Sequence, residues 1–293
     1  MPVQTYLFLE HSALYVLLGW GIYLVFRMGE MYFAPVFTMG LGAYFTALAL
    51  RDWGWSYAPT LLVAVALGGV IAFLIALALA RASAFALTIA SMAPIVILQS
   101  IVRSFAFLGA ARGLQGIPGV GHLMPITLAA TSLVGFFIYR LDYSRLGRAM
   151  EVISVNPDVA ATQGANRYRI SIFLQTAAGA IGALAGAIYA PLMRSIVPVD
   201  FGFPLLLNIM CFLFVGGHTT MWGVVVFTPL LWGLRLVLPA EVVSWTMIIY
   251  GALLVIVILL RPEGVITKQT LQSIRVSSQA LLKRIRSLRQ LGT

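Results

Sequence analysis

Residues 142–169 read DYSRLGRAMEVISVNPDVAATQGANRYR, and this polar stretch lies between segments apolar enough to cross a membrane. Five arginines lie in or beside it, at positions 140, 145, 148, 167 and 169. Cytoplasmic loops of membrane proteins carry an excess of Lys and Arg. The stretch is therefore predicted to be a cytoplasmic loop in water, which fixes the orientation of the apolar segments on both sides of it.

The same stretch carries the signals of a short helix. Asn156 suits the N-cap, and Pro157 suits the first helical position. Asp158 complements the positive end of the helix dipole, and Gly164 suits the position that ends the helix. A short, capped helix on a cytoplasmic loop can serve as a contact through which another protein moves the membrane helices. The alternative is an ordinary ordered loop.

Composition sets the class of protein. The 293 residues are 61% hydrophobic and only 10% charged, and the mean hydropathy is +0.97. A soluble domain needs more charge to cover its surface, so the chain is predicted to be an all-α integral membrane protein. One transmembrane domain is expected over residues 1–264, followed by a basic, amphipathic cytoplasmic tail over 265–293 that lies on the inner leaflet or is solvated.

The apolar runs give the expected spans. About 8–10 transmembrane helices are predicted, since a span needs about 20 apolar residues. Nine runs are found, at Ser12–Phe26, Met31–Leu50, Ala58–Ala80, Ala84–Leu108, Leu123–Tyr139, Ile170–Leu192, Phe203–Val215, Trp222–Leu238 and Val242–Leu260. With the central loop inside, 14 of the 19 Lys and Arg residues fall on the cytoplasmic side, and the C-terminus is predicted to be cytoplasmic.

The second run contains Pro35, Gly40 and Gly42, so a broken span is expected there. Irregular backbone at membrane depth must line a cavity or be satisfied by neighbouring helices. The candidates for a substrate pathway are the polar and flanking residues of the spans, namely Glu30, Pro35, Phe37, Thr38, Gln99 and Asn208. The alternative is a kinked structural helix in which Glu30 pairs with Arg27.

The chain offers little chemistry of its own. Its three histidines are far apart and show no metal-ligand spacing, and neither of its two lysines follows a P-loop glycine pattern. Catalysis, a bound metal, a cofactor and a nucleotide site are therefore not expected. A transporter of this build needs energy from a separate subunit.

Several motifs in one order point to a known family. They are Ser144–Met150, Asn156–Gly164, Gly182–Tyr189, Met39–Tyr44, Gly113–Pro118, Phe201–Phe203, Val215–Gly217, Trp222–Gly223 and Arg261–Gly264. Over nearly its whole length the chain resembles the permease subunits of branched-chain amino acid type ABC importers, closest to the LivM-like half. The resemblance implies the ABC importer permease fold, a bacterial inner-membrane location and no enzyme activity of the subunit itself. It also implies three kinds of partner, which are a homologous LivH-like permease, two cytoplasmic ATPase subunits and an external solute-binding protein.

The resemblance also implies roles for particular residues. In that family the loop matching Glu151–Asn166 carries the helix that docks in the ATPase. The expected coupling residues are Arg145, Arg148, Glu151, Asn156, Pro157, Asp158, Ala160, Ala161 and Gly164. The expected contacts with the binding protein are the sparse outer charges Arg51, Asp52, Arg112, Arg194, Asp200 and Glu241.

The function predicted is uptake of a small polar organic solute, such as a branched-chain amino acid or a related amide, urea or aromatic acid. Import would proceed by alternating access driven by the separate ATPase subunits. The alternative is a carrier or channel that acts alone on an ion gradient, with Glu30 as its titrating group.

Overall fold

Almost all of the regular structure is helical. The computed structural model describes residues 3–237, 245–261 and 264–266. Within them lie twelve α-helices: α1 Val3–Phe26, α2 Ala34–Arg51, α3 Tyr57–Leu79, α4 Ala84–Ala90, α5 Ala93–Ser104, α6 Leu123–Asp142, α7 Arg145–Val155, α8 Pro157–Thr162, α9 Arg167–Met193, α10 Phe203–Gly216, α11 Met221–Val237 and α12 Thr246–Leu260. Short 3-10 turns occur at Ala106–Leu108, Ala110–Arg112 and Pro198–Phe201. The predicted all-α membrane fold is confirmed.

Each of the nine predicted spans corresponds to a helix or to a helix pair. Among the described residues, five segments are long and apolar enough to cross a membrane: Thr5–Phe26, Tyr57–Leu79, Ala84–Ser104, Leu123–Asp142 and Arg167–Met193. The fourth predicted run is the pair α4 and α5, and three shorter apolar helices, α10, α11 and α12, match the last three runs. The expected tail lies outside the described residues except for Val265 and Ile266, whose backbone N–H groups donate to the carbonyls of Val215 and Gly216.

The second span differs from the expected broken helix. Helix α2 runs without interruption from Ala34 to Arg51, and Pro35 lies in its first turn, where a missing N–H breaks no helical hydrogen bond. The irregular backbone lies instead in residues 27–33, where Gly29 has a φ of +76°. Gly42 lies within the regular helix, where its bare backbone lets α2 approach Ala183 of α9 closely.

Helix α9 is at the centre of the bundle, packed between α2 and α3. Gly182 and Gly186 turn their bare backbones toward α2, and a Cβ at Gly186 would collide with the Met39 carbonyl. Gly179 meets Ala72 of α3 in the same way. Small residues at such positions let helices approach closely in lipid. The glycine face of α9 therefore packs within the chain.

The two ends of the bundle are built differently. The end that carries α7 and α8 is here called the loop end. At the opposite end, here called the far end, Leu114–Gln115 and Ser195–Ile196 form a two-stranded antiparallel sheet, β1 and β2. This sheet ties the connection between α5 and α6 to the end of α9. The Arg51 guanidinium at the end of α2 also reaches this sheet, donating to the Gln115 carbonyl at 3.5 Å.

Candidate functional site

At the loop end, α7 and α8 are each capped by a side chain. The Ser144 hydroxyl accepts from the backbone N–H groups of Leu146 and Gly147, at 3.1 and 3.3 Å. It thereby satisfies N–H groups that have no partner within a helix. The cap fixes where the chain turns from α6 into the loop.

Asn156 caps α8 in the way the sequence predicts. Its Oδ1 accepts from the backbone N–H groups of Asp158 and Val159, at 3.0 and 3.3 Å. Pro157 occupies the first turn, and Gly164 takes the left-handed conformation, with φ +80°, shortly after the helix ends. These local interactions hold a six-residue helix in place on an exposed loop.

The outer surface of this segment is partly apolar. The exposed fractions are 84% for Val155 and 45% for Val159, and Ala161 is also exposed. Ala160 was expected to belong to the contact face. It does not, because it is only 1% exposed and is part of the core of the chain. Val155, Val159 and Ala161 are therefore the apolar residues expected to be open to a partner here.

Residues 145–166, which contain α7 and α8 and were predicted to contact an ATPase, are here called the coupling segment. Arg145, Arg148 and Asp158 are exposed, while Glu151 lies 4.0 Å from Arg27 of the connection between α1 and α2. Exposed charges of this kind contribute little to the stability of the fold.

Arg27 also joins the loop end to α6. Its Nε lies 3.4 Å from an Asp142 carboxylate oxygen, and the Tyr23 hydroxyl donates to the other oxygen at 2.8 Å. The sequence did not predict this pairing, because Arg27 and Asp142 are far apart in the chain and carry no shared motif.

Glu30 pairs with Arg167 rather than with Arg27. The Arg167 Nε and Nη2 atoms donate to one carboxylate oxygen of Glu30, at 3.0 and 2.7 Å. The Ser171 hydroxyl donates to the other oxygen at 3.0 Å, and the Gln175 amide donates to that hydroxyl at 2.8 Å. Both oxygens of the buried carboxylate are thus held by the first turns of α9.

Of the residues predicted for a substrate pathway, only Asn208 lines the cavity described below. Thr38 is fully buried between α2 and α9, where its hydroxyl donates to the carbonyl of the buried Pro35 at 3.2 Å. Phe37 is half-buried on α2, and the Gln99 amide lies against Gly202.

Asn208 is the pathway candidate that lines a cavity. This cavity, here called the far-end cavity, has a volume of about 340 Å³. It lies between α1, α2, α9, the turn at Pro198–Phe201, α10 and α11, and it is lined by His11, Tyr15, Met39, Tyr189, Met193, Val199, Asp200, Pro204, Leu205, Asn208 and Trp232. Asp200 was expected on the docking surface, so the sequence did not predict that it shares a cavity with Asn208.

The other charges predicted to contact a binding protein are spread over the far end. Arg51 donates two hydrogen bonds to the carboxylate of Asp52, at 2.7 and 2.9 Å, and these bonds lower the pKa of that carboxyl group. Arg112 and Arg194 are exposed, on the 3-10 turn and at the end of α9. Glu241 lies outside the described residues.

Comparison with known proteins gives one match. A family model described as the permease component of a branched-chain amino acid transport system matches residues 5–258. This range includes the capped loop and the far-end cavity. No curated protein and no solved structure matches the chain.

Proposed function

The chain belongs to the family of branched-chain amino acid transport permeases, and from this premise we propose that it is one permease half of an ATP-driven importer. Its solute would be small, polar and organic: a branched-chain amino acid, or a related amide, urea or aromatic acid. Two cytoplasmic ATPase subunits, a LivH-like second permease and an external solute-binding protein would complete the complex. The loop end and the C-terminus would face the cytoplasm of a bacterial cell.

The observation that carries this proposal is the exposed apolar face of the coupling segment. Val155 at the end of α7 and Val159 on the capped helix α8 are both exposed, and the exposed Asp158 lies between them in the sequence. An apolar centre with a polar rim is the arrangement typical of a protein–protein contact. This supports α8 as the point at which an ATPase subunit docks.

A direct structural route leads from α8 into the membrane. Helix α9 begins a few residues after α8, at Arg167, which holds Glu30. Its 27 residues extend about 40 Å, since a helix rises about 1.5 Å per residue. Its other end reaches the far-end cavity through Tyr189 and Met193. A displacement of α8 can thus be passed along one helix, which supports alternating access driven from the loop end.

The alternative, a carrier that acts alone with Glu30 as its titrating group, is supported by the buried position of that carboxylate. Against it, both carboxylate oxygens accept hydrogen bonds, and the guanidinium of Arg167 compensates the charge. Contacts with both oxygens support a structural role for this carboxylate.

The proposal is tested by Ala161→Arg in the reconstituted complex with its ATPase subunits and binding protein. The large charged side chain should block the apolar contact, so ATP hydrolysis stimulated by the binding protein should fall to the basal rate while the permease still inserts. Ala161→Ser, which keeps the residue small, is the matched control and should retain stimulation. Normal stimulation in the Ala161→Arg complex would show that α8 does not transmit ATPase motion.

A further inference from the structure

We propose that the far-end cavity binds the transported solute through an N–H donor, an ammonium or amide group, which Asp200 accepts. The inference rests on the proposed import function and narrows its solute class. It moves Asp200 from the surface that docks the binding protein to the path of the solute.

The size of the cavity suits such a solute. A volume of about 340 Å³ lies at the lower end of the range of about 300–1,000 Å³ found for small-molecule sites. The walls come from helices of both halves of the chain, so a change in the position of α9 relative to α10 would alter the shape of the cavity. That is the behaviour required of a site that first receives a solute and later releases it.

The charge of the cavity favours donors. Asp200 is the one carboxylate among the described residues that line it, and none of those residues is Lys or Arg. One oxygen of Asp200 accepts from the Val197 backbone N–H at 3.0 Å and the carboxylate also accepts from the Tyr189 hydroxyl, and these two bonds fix it in position. An ionised carboxylate offers about four acceptor sites, so it can accept further N–H groups from a ligand. A carboxylate solute without an N–H group would instead be repelled.

Asn208 adds a second polar group to the lining of the cavity. Its side-chain amide makes no hydrogen bond to any residue within the described ranges, and an amide can both donate and accept. It can therefore hydrogen-bond the part of the solute that points away from Asp200, including the carboxylate of an amino acid.

The remaining walls suit an apolar side chain. Trp232 stacks on His11 with ring centroids 5.4 Å apart, and Tyr15 lies 4.8 Å from the same indole. Such a wall can also attract an ammonium group. Met39 and Met193 supply flexible, polarisable contacts that adapt to branched groups of different shape. The cavity thus fits an amine or amide with a short apolar tail better than it fits an aromatic acid.

The test places a cysteine in the cavity of the assembled complex and measures protection from a small charged thiol reagent. The chain has one native cysteine, Cys211, which is buried and is replaced by Ala as a precaution. Val199→Cys puts a thiol at the exposed edge of the cavity. Thr38→Cys, at a fully buried position, is the control that should remain unlabelled.

Three probes separate the contributions of the donor groups. Leucine and isovaleramide should protect the cysteine at position 199, whereas 4-methylpentanoate, which is leucine without its amino group, should not. Asp200→Asn should raise the leucine concentration for half-protection about ten-fold or more, as expected for a lost charge-assisted hydrogen bond. Asp200→Glu keeps the charge and should retain most of the protection, which guards against a folding defect.

Any of three results would overturn the proposal. One is protection by 4-methylpentanoate equal to that by leucine, and another is an unchanged half-protection concentration in Asp200→Asn. The third is absence of protection by both leucine and isovaleramide. Labelling needs no ATP hydrolysis, so a failure here with normal results for Ala161→Arg would refute the solute site alone and leave the import function standing.

Discussion

Arg167 donates two hydrogen bonds to a single carboxylate oxygen of Glu30, and the pair joins the first residue of α9 to the connection between α1 and α2. The coupling segment ends immediately before Arg167 in the sequence. On the other side of Glu30, Gly29 lies against Ser154 of α7. The ion pair therefore stands where the coupling segment meets the membrane helices.

Breaking the Glu30–Arg167 pair should lower the stability of the permease and weaken the transmission of motion from the coupling segment to the membrane helices. Glu30→Gln should lower the free energy of unfolding by about 2–3 kcal/mol, less than for a fully buried pair because the Arg167 side chain is 41% exposed. Thermal unfolding of the purified complex measures the loss. The exchanged pair Glu30→Arg with Arg167→Glu should recover part of it, and a double-mutant cycle gives the interaction energy. Additive single effects would show that the two side chains do not interact.

The same variant separates the two functional hypotheses. An importer driven by ATP should show no requirement for a proton gradient, with or without Glu30→Gln. A carrier that acts alone should transport without ATPase subunits and should lose its gradient dependence in that variant. Uptake into proteoliposomes with and without an imposed gradient makes the measurement. Gradient-driven uptake by the permease alone would contradict the importer.

The glycine face of α9 gives a prediction about packing. In Gly186→Ala the new methyl group would collide with the Met39 backbone, which cannot move aside as a side chain can. Overpacking of this kind costs about 1–3 kcal/mol. Gly69→Ala on α3 is the matched control, since its methyl group would meet Ala180 at an ordinary 3.7 Å and would raise helix propensity. Equal thermal stability of the two variants would show that α2 and α9 are not closely packed at Gly186.

The far-end charges give a prediction about the binding protein. Each of three charge reversals should raise the half-saturating concentration of binding protein by at most about five-fold, because exposed ion pairs contribute about 0–1 kcal/mol. The three are Arg51→Glu, Arg112→Glu and Arg194→Glu. The effect should shrink at high salt, where exposed charges are screened. Arg51→Glu should raise the half-saturating concentration least, because the Arg51 guanidinium is already paired with Asp52. An unchanged half-saturation after all three reversals would place docking elsewhere.

Features determined by neighbours in the sequence were predictable. The cap of α8 needs only Asn156, Pro157 and the residues that follow, so its geometry was predicted correctly. The apolar runs likewise predicted the order and approximate positions of the apolar helices, because the length of a span depends on local hydrophobicity.

Features determined by contacts between distant segments were not predictable. The burial of Ala160 depends on the direction in which α8 faces the bundle, and the partner of Glu30 lies 137 residues further along the chain. The second span was expected to be broken by Pro35, Gly40 and Gly42, yet α2 is continuous through both glycines, and a proline in the first turn is compatible with a regular helix. The shared cavity of Asp200 and Asn208 depends on the packing of helices from both halves of the chain.

The continuity of α9 between the two ends of the bundle also has a thermodynamic consequence. One continuous helix extends from Arg167 beside the coupling segment to Tyr189 in the wall of the far-end cavity. If a solute at the far end changes the affinity of an ATPase subunit for the loop end by some factor, then the ATPase subunit must change the affinity for solute by the same factor. Reciprocity of this kind makes nucleotide state and solute affinity two measurements of a single coupling free energy.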